Sequence, residues 1–398
     1  MYNNNIIHLS ENINNKSEVI YIKHYKIGLL GFGNMGKTHL YAVDTLRFYY
    51  QKLPYTAEIA GVCTATEKSG KDAREFGIPF STTNEDDLIY DPSIDIIDVS
   101  TPNLFHFETL KKAIAAGKHI YCEKPLCINN SQANEIASLM RGKNIKGQMV
   151  FHNRFIGPVV RAKQIIDEGH LGRLLSFRCS YLHSSATDTT RNAGWKQNSD
   201  ICGGGTLVDL GSHAIDLVYH LCGRYESVNG MSQIAYPVRR GSDGGEWETN
   251  ADEAFYMLAK MECGACGTLE ASKIAVGTND DFRIEIYGEH GSIRFSLMDP
   301  NFLEYYSTET HNGQNHNTDL GGFSGYTKIE CVSRYPEPAY PICGVKAPVG
   351  WLRGHVGSYQ SFLNCVHHDR EPSPSLFDGA YNVEIIEAAY KSAREKLI

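Results

Sequence analysis

Along residues 25–150, short apolar runs alternate with longer stretches in which apolar residues recur every three or four positions. The apolar runs predict strands, and the longer stretches predict amphipathic helices. The predicted strands lie at 26–30, 57–63, 95–100, 119–122 and 146–151, and the predicted helices at 36–50, 67–76, 104–116 and 131–141. Strands that alternate with helices indicate a parallel, doubly wound sheet, which binds ligands at the carboxyl ends of its strands.

The pattern changes after residue 151. A helix is predicted first, followed by strands of alternating character joined by glycine turns, as in a largely antiparallel open sheet. The helix lies at 159–168, the strands at 174–183, 255–261, 267–274, 282–287 and 292–296, and a closing helix at 379–396. The Asn-, Gly-, Pro- and Tyr-rich residues 298–350 predict a long surface excursion. We therefore expect an α/β domain at 25–150 and an α+β domain at 151–398, after a flexible extension at 1–24.

Composition narrows the classes of function. The chain has 398 residues and a net charge of −8, which argues against nucleic acid or an anionic membrane as a partner. No apolar stretch is long enough to cross a bilayer, and the first residues lack the basic and apolar segments of a secretory signal. The 11 cysteines follow no framework spacing, so we expect reduced thiols and a cytoplasmic protein.

One octet, Gly-Phe-Gly-Asn-Met-Gly-Lys-Thr at residues 31–38, fits two incompatible motifs. As Gly-x-Gly-x-x-Gly it is the phosphate-binding loop of a dinucleotide-binding Rossmann domain, and as Gly-x4-Gly-Lys-Thr it is a P-loop for ATP or GTP. Both motifs follow a strand and open a helix, where free N–H groups hold a phosphate. Gly33 is superfluous in a P-loop and necessary in a dinucleotide loop, so its presence favours the dinucleotide loop.

Three further clusters follow predicted strands or turns. They are Ser100-Thr101-Pro102-Asn103 with His106, Glu123-Lys124-Pro125, and Asp209 with His213 after the glycines at 203–205. If the last cluster is helical, Asp209 and His213 lie at i and i+4 on one face. A P-loop NTPase would give these clusters no role.

With these four motifs in order, the chain resembles the glucose–fructose oxidoreductase/inositol dehydrogenase (Gfo/Idh/MocA) family over roughly residues 25–290. The resemblance implies an NAD(P)-dependent oxidoreductase that acts on a sugar, inositol or related polyol. It also implies that Lys124, Asp209 and His213 are catalytic, and that the bond between Lys124 and Pro125 is cis. An exposed face of the second sheet predicts a homodimer or homotetramer.

The chemistry of hydride transfer suits these three residues. A histidine has a pKa near working pH and can accept the proton of a secondary hydroxyl. A lysine ammonium stabilises the alkoxide that develops, and a carboxylate orients the substrate and the imidazole. We therefore expect His213 to be the base, Lys124 the electrostatic group and Asp209 the orienting group.

The cofactor is expected along the carboxyl edge of the first sheet. Its predicted ligands are Gly31, Phe32, Gly33, Asn34, Met35, Gly36, Thr64, Lys68, Ser100, Thr101, Pro102, Asn103, His106, Glu123 and Lys124. The acidic residue that usually holds the ribose of NAD after the second strand is absent, and Thr64 takes its place. Thr64 and Lys68 therefore favour NADP slightly over NAD, whereas Glu67 in the same turn would restore NAD.

Candidate substrate residues are Asn153, Arg154, His183 and Trp195, on segments that follow the first domain. No metal is expected, although Asp209, His213 and Asp216 leave a metal site as an alternative. Two other functions also remain open: a glycosidase that holds NAD tightly and oxidises its substrate transiently, and an inactive protein that senses NAD(P).

Overall fold

The computed structural model describes residues 22–50, 53–241, 243–308, 325–332 and 350–395. Residues 1–21 of the expected flexible extension lie outside this range, as do 309–324 and 333–349 of the expected surface excursion. Within the described residues, no helix has both the length and the apolar character needed to cross a membrane.

The first sheet is parallel and doubly wound, as predicted. Its strands are β1 (Lys23–Leu30), β2 (Tyr55–Cys63), β3 (Ser81–Thr82), β4 (Ile96–Val99), β5 (His119–Cys122) and β6 (Gly147–Met149). They lie in the order β3-β2-β1-β4-β5-β6. The helices are α1 (Asn34–Tyr49), α2 (Glu67–Glu75), α3 (Asp86–Ile89), α4 (His106–Ala115) and α5 (Asn130–Met140). The strand order reverses direction between β1 and β4, where a crevice opens at the carboxyl ends.

The strands of this sheet are apolar because helices cover both faces. All four residues of β4 are buried, as are the last four of β1. Continuous apolar runs of this kind are typical of parallel strands, and they made the sheet predictable from the sequence. The two-residue β3 and the four-residue α3 were not predicted, since neither is long enough to show a period.

The second sheet is mixed and mostly antiparallel, which confirms the expected fold class. Helix α6 (Gly157–Asp167) leads into it. Its strands are β7 (Leu174–Leu182), β8 (Tyr225–Gln233), β11 (Ala254–Met261), β12 (Cys266–Ser272), β13 (Asp281–Gly288), β14 (Gly291–Ser296), β15 (Phe302–Ser307) and β16 (Thr327–Glu330). Between β8 and β11, strands β9 (Val238–Arg240) and β10 (Glu246–Glu248) form a separate two-stranded ribbon. The order is β16-β15-β14-β13-β7-β12-β11-β8, and only β7 and β12 among these described strands pair in parallel.

One face of the second sheet forms the core of the chain's second half. Helices α7 (Ser199–Cys202) and α8 (Ser212–Cys222) precede β8. Leu217 and Val218 of α8 are fully buried in this core. The opposite face is open, and Met231 and Leu258 there are each 62% exposed. A turn at residues 262–265 joins the antiparallel strands β11 and β12.

Two C-terminal helices return to the first sheet. Helix α9 (Leu352–His367) places Tyr359 and Phe362 in the same buried cluster as β1 and α1. Helix α10 (Leu376–Arg394), predicted at 379–396, buries Leu376 in the cluster that contains α5. The sequence did not predict α9. The domain boundary at residue 150 stays a prediction, because these helices pack on both parts of the chain.

Candidate active site

The glycine loop between β1 and α1 has the shape of a phosphate cradle. Gly31 has φ +95°, and a Cβ there would lie 2.7 Å from the carbonyl oxygen of Ser100. A Cβ on Gly36 would lie 2.3 Å from the carbonyl oxygen of Gly31. Gly33 is the N-cap residue of α1, and a Cβ there would meet none of the described atoms within 4 Å. The free N–H groups of α1 at this opening suit a pyrophosphate, so the loop fits a dinucleotide.

The two residues that would define a P-loop have other contacts. The Nζ atom of Lys37 lies over the rings of Phe32 and Phe76, at 5.7 and 5.4 Å from their centroids. The hydroxyl of Thr38 donates to the carbonyl oxygen of Asn34 at 2.9 Å, within the first turn of α1. Neither side chain is directed at a phosphate site over the loop.

The loop after β4 is tied to the rest of the site by side chains. The hydroxyl of Ser100 donates to the carbonyl of Gly31 at 3.0 Å. The buried ring of His106 spans the carbonyl oxygens of Thr101 (2.9 Å) and Pro125 (2.8 Å), and burial lowers its pKa. The amide of Asn103 donates to the carbonyl of Cys202, and Pro102 opens a short 3-10 turn between these contacts. His106 and Asn103 therefore hold loops in place around the crevice.

Lys124 and Asp209 are in direct contact. The bond between Lys124 and Pro125 is cis, and Lys124 is the second residue after β5. Its Nζ atom donates to the main-chain oxygen of Asp209 at 2.6 Å and to Oδ1 at 2.8 Å. These contacts join Asp209, which lies 85 positions later in the chain, to the carboxyl edge of the first sheet.

Asp209 lies in a π-helical turn, Leu207–Gly211, that continues into α8. The expected regular i, i+4 helix is therefore replaced by a wider turn, a feature that recurs at functional sites. The carboxylate of Asp252 fixes the turn by accepting the N–H groups of Gly205 and Leu207, each at 3.0 Å. A Cβ on Gly205 would lie 2.1 Å from the carbonyl oxygen of Asp252, so the triple glycine permits this approach.

Three ammonium groups surround the carboxylate of Asp209. Besides Lys124, Lys273 lies 2.8 Å from Oδ2, and Lys196 lies 3.0 and 2.9 Å from Oδ1 and Oδ2. Burial alone would raise the pKa of Asp209, but the three lysines outweigh it and hold the pKa well below its usual range. Asp209 is therefore ionised. The sequence did not identify Lys196 or Lys273, because single lysines in a loop carry no spacing signal.

His213 completes the group at the start of α8. It is 7% exposed, and its Nδ1 atom is enclosed without a hydrogen-bond partner among the described residues. Burial, aided by the nearby charge of Lys124, lowers the pKa of His213 well below its usual range. A neutral imidazole beside an ammonium and a carboxylate can accept a proton from a substrate hydroxyl.

Comparison with known proteins identifies the family. Residues 25–151 match the oxidoreductase family, NAD-binding Rossmann fold, of the GFO/IDH/MocA group, and residues 159–294 match a GFO/IDH/MocA C-terminal domain. The chain is 30% identical over 373 residues to glucose-6-phosphate 3-dehydrogenase of Bacillus subtilis, covering 92% of this chain and 95% of that protein. The chain belongs to the GFO/IDH/MocA oxidoreductase family. The resemblance inferred from the four motifs is thereby confirmed.

A second relative is similar in both sequence and structure. Levoglucosan dehydrogenase of Pseudarthrobacter phenanthrenivorans is 29% identical over 391 residues, covering 94% of this chain and 97% of that protein. The solved structure of levoglucosan dehydrogenase in complex with NADH and levoglucosan matches with a TM-score of 0.86 at 29% identity, covering 94% of this chain and 98% of that one. The first half of this GFO/IDH/MocA oxidoreductase is thus an NAD-binding Rossmann domain.

In the turn after β2, the hydroxyl of Thr64 is committed to a contact within the turn. The hydroxyl of Thr64 is buried and donates to the carbonyl of Thr66 at 2.9 Å. The Thr66 hydroxyl caps α2 by accepting the N–H of Ser69 at 3.2 Å. Lys68 is exposed in the first turn of α2. The relatives give no support for the expected preference for NADP.

The predicted substrate residues of this family member differ in their surroundings. Asn153 is buried, and in the part of the chain that the structure describes neither polar atom of its side-chain amide has a hydrogen-bond partner. Arg154 is held in a buried ion pair with Asp216, with Nε 2.8 Å from Oδ2, so Asp216 is not available as a ligand for metal. His183 contacts Asp280, and Trp195 is 37% exposed at the protein surface.

Two buried histidines that the sequence analysis did not identify, His152 and His355, form a row with His213. The ring centroid of His152 lies 5.1 Å from that of His213 and 4.0 Å from that of His355, and Trp351 packs against His152 and His355. Burial lowers the pKa values of His152 and His355 well below the usual range. In the described part of the chain, no three His, Cys, Asp or Glu side chains are grouped to hold a metal ion.

Glu123 belongs to a buried charge network rather than to the open crevice. It accepts the N–H of Lys124 at 3.1 Å and the Nε2–H of His39 at 3.3 Å, while His39 Nδ1 donates to Asp98 at 2.8 Å. Burial alone would lower the pKa of His39, but the two carboxylates raise it to about 10. The network fixes Glu123 and the loop that presents Lys124.

Proposed function

We propose that this oxidoreductase transfers a hydride between NAD and a secondary hydroxyl of a sugar, inositol or related polyol. The observation that carries the proposal is the convergence of Lys124, Asp209 and His213 at the carboxyl edge of the first sheet. They come from two halves of the chain and meet in the crevice that the glycine loop borders. The named relatives that act on levoglucosan and on glucose 6-phosphate support a carbohydrate substrate.

The three residues divide the work at the hydroxyl that reacts. The substrate hydroxyl binds between Lys124 and His213, and its proton passes to Nε2 of His213, because Nδ1 is enclosed. The Nζ ammonium of Lys124 stabilises the negative charge that develops on the oxygen. Asp209, held ionised by its lysines, orients Lys124 and stabilises the imidazolium that forms. When bound, the nicotinamide cofactor supplies the hydride acceptor.

We propose NAD as the preferred cofactor. The hydroxyl of Thr64 already donates within its own turn, so it cannot donate to a 2′-phosphate without breaking that contact. The structure of levoglucosan dehydrogenase that holds NADH supports the same preference. Pyrophosphate would bind over Gly33 and Asn34, at the free N–H groups of α1.

The direct test is a panel of sugars and polyols assayed with NAD and NADP by absorbance of the reduced nicotinamide. Substrate-dependent formation of NADH is expected. Hydrolysis of a glycoside without net NADH would instead identify a glycosidase with retained NAD. Tight NAD binding with no turnover of either kind would indicate a sensing protein.

We also propose that the protein is a homodimer or homotetramer. The open face of the second sheet exposes Met231 and Leu258, which monomeric proteins rarely present in one patch. This face also holds a cavity of about 630 Å³ lined by residues of five strands. Light scattering on the wild type and on Leu258→Arg tests it: a smaller species is expected for the variant.

A further inference from the structure

Lys196 is not required to hold Asp209. Each oxygen of the Asp209 carboxylate already has an ammonium partner, Lys124 on Oδ1 and Lys273 on Oδ2, each at 2.8 Å. Lys196 bridges both oxygens as a third cation, at 3.0 and 2.9 Å. Three positive groups therefore share one negative group.

In the described part of the chain, Asp209 is the only carboxylate within ion-pair distance of the three ammonium groups. The carboxylate of Glu123 instead contacts His39, which also donates to Asp98. The carboxylate of Asp252 is engaged by the N–H groups of the π-helical turn and by the hydroxyl of Tyr390. The buried ring of His213 is neutral. Asp209 is therefore in direct contact with three cations at once, and like charges this close repel one another unless a further anion joins them.

Lys196 is also the lysine that a ligand can reach. Its side chain is 46% exposed, against 14% for Lys124 and for Lys273. It lies in the 3-10 turn Trp195–Gln197, and its Nζ atom is 5.6 Å from the centroid of the partly exposed Trp195 ring. The ammonium thus lies at the edge of the site beside a flat aromatic surface, a pairing suited to a sugar ring and a charged substituent.

We propose that Lys196 recognises an anionic group, a carboxylate or a phosphate, on the sugar that this enzyme oxidises. The inference rests on the proposed function, since it concerns the substrate of the same site. Lys273 keeps Asp209 in place when Lys196 turns to the anion and Lys124 turns to the hydroxyl. Lys196 determines specificity, and Lys273 is a positioning residue.

The test compares matched neutral and anionic sugars with NAD: D-glucose, D-glucuronate and D-glucose 6-phosphate, and D-galactose with D-galacturonate. We expect an anionic member to exceed its neutral counterpart in kcat/KM by roughly tenfold to a hundredfold, as for one charge-assisted contact. The uronate and phosphate arms show which anion is recognised. Raising the salt to about 0.5 M should reduce the preference, because Lys196 is partly exposed to solvent.

Variants separate recognition from general damage. Lys196→Met should raise KM for the anionic sugar and lower its kcat/KM by at least about tenfold more than that of the neutral sugar. Lys273→Met should lower kcat for both, and Lys111→Met, a surface lysine paired with Glu135, should change neither. Equal use of neutral and anionic sugars by the wild type, or an equal loss for both in Lys196→Met, would overturn the inference and leave the proposed function intact. Failure of every sugar to reduce NAD would contradict both.

Discussion

The ring of His152 meets the ring of His213 edge-on, with their centroids 5.1 Å apart. The other side of His152 stacks on His355 at 4.0 Å. In the described part of the chain, none of the four ring nitrogens of His152 and His355 has a hydrogen-bond partner. These two imidazoles therefore act on His213 through packing and exclusion of water, which keep its ring neutral and oriented.

His152→Phe should preserve activity better than His152→Ala. Phenylalanine keeps a flat ring against His213, whereas alanine admits water and lets the pKa of His213 rise toward its ordinary value. The acidic limb of the kcat/KM profile should then move to higher pH in the alanine variant. If phenylalanine is as damaging as alanine, the ring nitrogens of His152 have a direct role that packing does not explain.

Lys124→Ala should lower kcat by at least ~10²-fold, because one preorganised charge is lost where the alkoxide develops. Binding of NAD, measured by calorimetry or fluorescence, should change little. The matched control is Lys163→Ala, which removes a surface lysine paired with Asp167 on α6. Turnover near that of the wild type would remove Lys124 from the mechanism.

His213→Ala should lower turnover and flatten the acidic side of the pH profile, since the neutral imidazole is the proposed base. In the wild type, that limb should have its midpoint below pH 6.5, because burial and Lys124 lower the pKa of His213. An unchanged acidic limb in His213→Ala would assign the proton transfer to another group.

Acid should destabilise the fold through the buried histidines. In the unfolded chain each titrates near pH 6.5, whereas the folded pKa values of His152, His213 and His355 lie well below it. Their contribution to stability is present above pH 6.5 and is lost as the pH falls, since the unfolded chain then binds more protons. His355→Phe should reduce the slope of unfolding free energy below pH 6.5 by about 1.4 kcal/mol per pH unit. Urea titrations between pH 5 and 7 measure it, and an unchanged slope would contradict it.

The cofactor preference is tested by kcat/KM with NAD and with NADP. We expect NAD to be preferred by tenfold or more, and Lys68→Ala to leave both values nearly unchanged, because Lys68 is an exposed residue. A preference for NADP that disappears in Lys68→Ala would instead support the expectation drawn from the sequence.

The sequence by itself determined the fold class and most of the motifs. Buried parallel strands are continuous apolar runs, and Gly31 and Gly36 are required because a Cβ there would lie 2.7 and 2.3 Å from a main-chain oxygen. Such requirements are local, so they leave a readable pattern. The identities of Lys124, Asp209 and His213 came from motifs at fixed positions relative to those strands.

Only the tertiary structure decided what surrounds these motifs. Lys196 and Lys273 reach Asp209 from separate loops, and His355 reaches His152 from α9, a helix about 200 residues later in the chain. The π-helical turn that carries Asp209 depends on Asp252, which lies on another segment. Contacts between distant segments depend on how the chain packs, and packing leaves no period or spacing along the sequence. The sequence therefore indicated the candidate catalytic residues, and the packing of distant segments determined their charge, their burial and their access to substrate.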